Sequence, residues 1–242
     1  MTALVLSPHF DDAVLSCAAW LEHHPGTVVA TVCSGRPGPG VPADPAWDEL
    51  AGFVDADHAA EARGAEDRDA LGVLGAQQRR LGFLDGGYKA LTGRPHEEPG
   101  GPGSFDAALT GAVGRLLDEV RPRIVLFPLG LVHPDHVATR SAAVACLRAR
   151  PELPALAYLD LPYGMAYGDV ARGTIDSLRA AGVGLGDPVG GEDGPAKARA
   201  AGCYRSQLPL LARVFGARLH ASLDTRAERL LAVEWSDRSA ST

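Results

Sequence analysis

Short β-branched and apolar runs alternate along this chain with segments whose apolar residues recur at helical spacing. That alternation restricts the fold more than any other feature. Ala3–Ser7 carries no charge, the pattern of a strand buried on both faces. Asp12–His24 places Ala13, Leu15, Cys17, Ala18, Trp20 and Leu21 at helical spacing and stops at Pro25-Gly26. Thr27–Cys33 is again apolar, so the chain opens with a strand–helix–strand unit. Further strands are expected at Arg79–Leu84, Arg123–Pro128 and Ala155–Asp160, with an edge strand at Leu230–Trp235. Helices are expected within Trp47–Gly75, at Phe105–Val120 and at His136–Arg150, and in pieces at Ala196–Tyr204 and Leu208–Ala217. Arg36–Pro45, Asp85–Gly103 and Gly182–Pro195 read as Gly/Pro-rich loops.

Such alternation gives a mainly parallel sheet covered on both faces. The expected fold is α/β: a Rossmann-like three-layer sandwich, one domain over residues 1–242. Its site lies at the carboxyl ends of the strands, where strand order reverses. At 242 residues the chain is long enough for one large core. A net charge of -7 without a basic block argues against nucleic acid or an anionic membrane as partner. No apolar run approaches the ~18 residues of a membrane span, and no basic segment leads into an apolar leader, so a cytoplasmic location is expected. Cys17, Cys33, Cys146 and Cys203 lack CxxC spacing and read as reduced thiols, not as a disulfide frame or thiolate metal site.

Two polar clusters interrupt the apolar pattern. His9-Phe10-Asp11-Asp12 follows the first strand, and His133-Pro134-Asp135-His136 follows RIVLFP. Alone, each reads equally well as a helix start, with Asp11, Asp12 or Asp135 as cap. If RIVLFP lies beside the first strand, both clusters face one crevice holding three imidazoles and three carboxylates. Mixed nitrogen and oxygen donors suit Zn²⁺, and a dication makes adjacent carboxylates favourable. Mg²⁺ or Mn²⁺ fits paired imidazoles less well.

SPHFDDAVLSC followed by LGLVHPDH resembles the PIG-L/LmbE-like deacetylases, zinc enzymes that remove an acetyl group from N-acetylglucosaminyl compounds. RGAEDRDALGVLG, LGFLDGGY, YLDLPY and AKARAAGCYRSQ are similar to softer motifs of the same family. The resemblance implies that His9, Asp12 and His136 hold one Zn²⁺ per chain, with Fe²⁺ as the alternative. It implies that Asp11 is the general base, and that His133 steadies the oxyanion or protonates the leaving amine. Asp135 would orient His133, and Arg63 and Asp85 would help bind the sugar of a small amino-sugar conjugate; on physical grounds His133 is better charged if it is to donate, a state Asp135 would favour. Phe10 stands where the family usually has Pro. Leu129-Gly130-Leu131-Val132 lacks the Tyr that many relatives carry before the second cluster, leaving Tyr88, Tyr163 or Tyr167 to replace it. Lys197 and Ser206-Gln207 read as helix-surface and helix-start residues. Two other readings stand beside deacetylation. One is hydrolysis of another glucosamine amide; the other is a non-catalytic sugar- or nucleotide-binding module, against which the absence of GxGxxG counts.

Overall fold

The computed structural model describes residues 2–92, 104–189 and 194–235. Seven strands form one sheet: β1 (Ala3–Ser7), β2 (Val28–Cys33), β3 (Gln77–Phe83), β4 (Ile124–Pro128), β5 (Ala155–Tyr158), β6 (Val183–Val189) and β7 (Leu230–Trp235). Their order is β3-β2-β1-β4-β5-β7-β6, with the first five parallel and β7 antiparallel to both neighbours. The chain runs outward from β1 to β3, then restarts at β4 on the other side of β1. Strand order therefore reverses between β1 and β4, and the crevice above their carboxyl ends is where this architecture places ligands.

Side-chain alternation along the strands builds the layers. Leu4 and Leu6 of β1, with Ala30 and Val32 of β2, pack on α4 (Phe105–Val120) and α5 (Pro134–Arg148). Val5, Val29 and Leu126 face the other way, onto α1 (Asp12–His23), α2 (Ala56–Val73) and α8 (Lys197–Ala201). The period of two thus sorts one β-branched run between two helical layers, giving the expected three-layer sandwich.

Elsewhere the structure corrects the sequence expectations. Leu230–Trp235 is an interior strand, because the glycine-rich stretch expected as loop supplies β6 outside it. Val183 and Leu185 bury at alternate positions, and a register irregularity between Leu185 and Pro188 accommodates the proline on this edge. Within the expected Asp85–Gly103 loop, α3 (Gly86–Leu91) forms once Asp85 accepts a bond from the Tyr88 amide; residues 93–103 lie outside the described residues. Short α6 (Tyr163–Ala166), then α7 (Gly168–Ala180), have no counterpart in the expectations. Two helices, α9 (Leu208–Phe215) and α10 (Ala217–Ser222), precede β7. All four cysteines are free, and all but Cys203 are buried.

Lys197 is likewise not a surface residue. It is buried, with its ammonium 2.8 Å from Oε1 of buried Glu228. The cause lies in α1, whose helical course breaks at Cys17 (φ -139°). The break releases the Ala19 amide, which Glu228 accepts at 3.1 Å. Glu228 therefore ties the kink to the C-terminal segment, and Lys197 neutralises it. Lys197→Met strands that carboxylate and is expected to cost about 3–5 kcal/mol in urea unfolding. An unchanged midpoint would show that the pair is not needed.

Candidate metal centre and active site

Where β1 ends, the chain turns on its own polar groups. Ser7 Oγ accepts from the Ala13 amide at 3.1 Å and donates to the His9 carbonyl at 2.6 Å. Asp12 Oδ2 accepts from the His9 amide at 2.8 Å. Asp11 occupies the N-cap position of α1, yet its side chain makes no cap bond. The capping alternative therefore does not account for Asp11, whose buried carboxyl lines the crevice.

At the end of β4 the turn is tighter. Gly130 has φ +80°, and a Cβ there would lie 2.9 Å from Arg140 Cβ, so glycine is required on two counts. The next turn closes through Val132 at φ +60°, with the His133 amide donating to the Leu131 carbonyl at 2.6 Å. A β-branched residue in the left-handed region is strained, and strain of this kind concentrates at functional sites. It delivers His133 to the N-cap of α5, where Nδ1 accepts from the Asp135 amide at 3.2 Å.

The two turns converge. Ring nitrogens of His9, His133 and His136 lie within 4.8 Å of one another. Asp12 Oδ2 is 3.3 Å from His9 Nδ1 and 3.2 Å from His136 Nε2. Asp160, just beyond β5, takes His136 Nδ1 at 2.6 Å and the Gly130 amide at 2.9 Å. With its Nδ1 proton directed to Asp160, His136 presents an Nε2 lone pair to the Asp12 carboxylate. That buried nitrogen has no hydrogen-bond partner among the described residues. Two acceptors face each other at van der Waals range, an arrangement that a proton or a cation must relieve. Without a metal, the ring takes the proton: burial opposes the charge, but Asp12 and Asp160 outweigh it and raise the His136 pKa to about 9. Burial likewise opposes charge on Asp12, and His136 and His9 override it, holding the carboxyl well below its usual range. A dication with His and Asp ligands satisfies the same donors. The donors available to a metal here are the His9, His133 and His136 rings, with Asp12 Oδ2 beside two of them.

Asp135 does not orient His133. Its nearest approach to His133 Nδ1 is 3.9 Å, and that nitrogen is already engaged by the Asp135 backbone amide. The carboxylate instead faces His9 Nε2 at 3.2 Å, the Gly86 amide at 3.0 Å and Lys89 Nζ at 2.8 Å. It is a brace for His9. Burial and the neighbouring His9 ring lower the His133 pKa to about 4, so the ring is neutral at pH 7 with its proton on Nε2. Burial and His9 thus outweigh Asp135, which favours the charged state a donating His133 would need. Burial, followed by the adjacent Asp12, raises the Asp11 pKa, with Arg63 partly offsetting both. His9, Cys33 and Asp135 also lie close together, but Lys89 already neutralises Asp135, and burial pushes the Cys33 thiol up to about 11.

A cavity of about 340 Å³ opens onto these residues. Arg63 and Asp85 line it, 3.7 Å apart, and Arg63 Nη1 is 3.3 Å from buried Asp48. Asp44, from the expected Arg36–Pro45 rim, joins them. Leu15, Trp47, Leu161, Pro162, Tyr163 and Leu211 form an apolar wall. Tyr163 reaches in, its ring edge-on to His136 at 5.1 Å. Tyr88 instead spends its hydroxyl on Asp48 at 2.6 Å, and Tyr167 does not line the cavity. Sequence reasoning missed Asp48, Lys89 and Asp160 as parts of the site. Only Asp160 stood in a quoted motif, YLDLPY. Gln207, read as a helix-start residue, is buried in the wall and accepts from Trp47 Nε1.

The family described as PIG-L, GlcNAc-PI de-N-acetylase, matches residues 4–147, which carry both clusters. Among solved structures, a teicoplanin deacetylase in a zinc-inhibited form is 28% identical, with a TM-score of 0.73 over 99% of this chain and 100% of that one. The A40926 pseudoaglycone deacetylase is 27% identical, with a TM-score of 0.72 over 99% of this chain and 98% of the other. The N,N'-diacetylchitobiose deacetylase from Pyrococcus horikoshii, 16% identical with a TM-score of 0.53 over 96% and 83%, shares the fold. No curated protein matches the chain. No described helix is long and apolar enough to cross a membrane.

Proposed function

The chain belongs to the PIG-L family of GlcNAc-PI de-N-acetylases, and on that premise we propose that it is a metal-dependent deacetylase acting on an N-acetylglucosaminyl group carried by a larger aglycone. The observation that carries the metal is the buried His136 Nε2, which faces the Asp12 carboxylate at 3.2 Å. His9, Asp12 and His136 would hold it, Zn²⁺ suiting their nitrogen and oxygen donors and Fe²⁺ being the alternative. When bound, such an ion supplies a Lewis acid for the acetyl carbonyl and lowers the pKa of water to about 7.

The remaining steps belong to side chains. Asp11, buried but outside the ligand set, takes the proton from the attacking water and returns it toward the departing nitrogen. His133, neutral and carrying its proton on Nε2, donates a hydrogen bond to the oxygen that gains charge as the carbonyl carbon becomes tetrahedral. Arg63 and Asp85 hold sugar hydroxyls on the polar wall. The cavity lies at the small end of the range for ligand pockets, the size of one sugar with its acyl group, so the aglycone stays outside. Deacetylation of teicoplanin and of the A40926 pseudoaglycone by two structural neighbours supports a bulky aglycone.

The test is acetate release from a panel of N-acetylglucosaminides with lipid, sugar and glycopeptide aglycones, alongside other N-acyl glucosamines. Protein stripped of metal and reloaded with Zn²⁺ or Fe²⁺ is used. Acetate and free amine are expected in equal amounts, with activity following bound metal. Neither metal uptake nor release of any acid would favour the non-catalytic module.

A further inference from the structure

The late motif AKARAAGCYRSQ places a tyrosine against the first catalytic turn, and the hydrogen-bond inventory there does not close unless one carboxyl is neutral. Tyr204 is buried. Its hydroxyl lies 2.8 Å from the Phe10 carbonyl and 2.8 Å from Oδ1 of fully buried Asp67 on α2. A hydroxyl has one proton, and a backbone carbonyl only accepts. If Tyr204 donates to Phe10, it has none for Asp67. The other oxygen of Asp67 is assigned independently. Gln78 Nε2 sits 2.8 Å from the Gly64 carbonyl and 2.7 Å from Asp67 Oδ2. The atom facing that carbonyl must be the amide nitrogen, so Gln78 spends both hydrogens and Oδ2 accepts. Oδ1 is then where a proton completes every contact.

We propose that Asp67 is held as a neutral acid that donates to Tyr204, which in turn donates to the Phe10 carbonyl and so fixes the turn carrying Asp11 and Asp12. Asp67 is a positioning residue. The chain runs from α2 through the segment after α8 to the residue preceding Asp11. It also accounts for Phe10, whose ring is buried beneath the Arg80 guanidinium at 5.2 Å and beside Gly64. An aromatic ring there braces the turn by packing, and Tyr204 braces its backbone.

Among the charged groups around Asp67 are Asp11, from the turn after β1, and Arg80, from β3. Burial is the main influence and Asp11 adds to it, while Gln78, Tyr204 and Arg80 oppose; the Asp67 pKa is raised to about 7. An acid whose folded pKa lies above its unfolded value gives stability that is complete below the unfolded value, about 4. That stability is lost as pH rises through about 7.

Asp67→Asn keeps the geometry without a titrating proton, since the amide can donate to Tyr204 and accept from Gln78. The infrared difference spectrum of wild type minus Asp67→Asn at pH 5.5, a pH between the two pKa values, is expected to show the carbonyl stretch of a protonated acid. The melting temperature of wild type should fall relative to Asp67→Asn from about pH 4 to pH 7, then run parallel. Neither readout depends on the deacetylase reading. A carboxylate band in place of the acid band overturns the proposal whatever the activity. Where the panel above gives acetate, Asp67→Asn is expected to stay within about threefold of wild type, while Tyr204→Phe, which leaves the Phe10 carbonyl without its donor, loses at least tenfold in kcat with KM little changed. An Asp67→Asn protein as impaired as Tyr204→Phe would also overturn it, because an ionised Asp67 would then be the working form.

Discussion

Asp11→Asn is expected to keep a full equivalent of metal and to lose about 10²–10⁴-fold in acetate release, the span that positioned proton transfer commonly contributes. The asymmetry follows from where the two aspartates point. Asp12 Oδ2 contacts His9 and His136, whereas Asp11 makes no cap bond and lines the cavity. Removing the Asp11 charge leaves Arg63 its other carboxylates, Asp48 and Asp85. The variant should be no less stable in the metal-free state. Burial raises the Asp11 pKa, so its ionisation counts against the fold as pH rises past the ordinary carboxylate range, a cost asparagine avoids. A melting temperature equal to or above wild type at pH 7, with catalysis nearly gone, would mark a residue kept for chemistry at the expense of stability. Retained activity would move the base elsewhere. Lost metal would put Asp11 among the ligands.

Much of this was legible before the structure because the governing signals are local. Apolar runs named β1, β2, β4 and β5, and RIVLFP fell beside β1, bringing SPHFDD and HPDH to one crevice. Where the reading failed, long-range packing had overridden local composition. Gly184, Gly186 and Pro188 look like loop, but β7 gives β6 a partner and two buried positions suffice. Lys197 looks like a solvated helix residue; its partner Glu228, buried where it accepts the Ala19 amide, reaches it only through the fold. Asp135 looks like the natural partner of His133 two residues earlier. Yet the backbone amide between them takes that nitrogen first, and Lys89 and His9 claim the carboxylate. Asp48 and Lys89 carry no spacing signal, since each meets the site only through the fold. Arg63 and Asp85 come together on the cavity wall, held by a third carboxylate, Asp48, that the resemblance did not name.

His136→Ala should bind no metal after dialysis, and the reason lies on both sides of the ring. Nε2 faces Asp12 and Nδ1 is held by Asp160, so the imidazole sits between two buried carboxylates. Its removal deletes a ligand and leaves both acids without their shared partner, a loss of about 3–5 kcal/mol by analogy with broken buried ion pairs. Asp160→Asn separates the two effects. It keeps the ring and an acceptor for Nδ1 but removes the charge that makes the ring a better donor. The expected loss is about 10–100-fold in metal affinity, as for other partners of ligating histidines. Asp160 also takes the Gly130 amide, so this variant tests the tight turn before His133 as well. Competition with a chromophoric chelator measures both proteins on one scale, without recourse to activity. Wild type, Asp160→Asn and His136→Ala should fall in that order. A His136→Ala protein that holds its metal against the chelator would exclude the ring from the ligand set, leaving His9, Asp12 and His133 to be tested in its place.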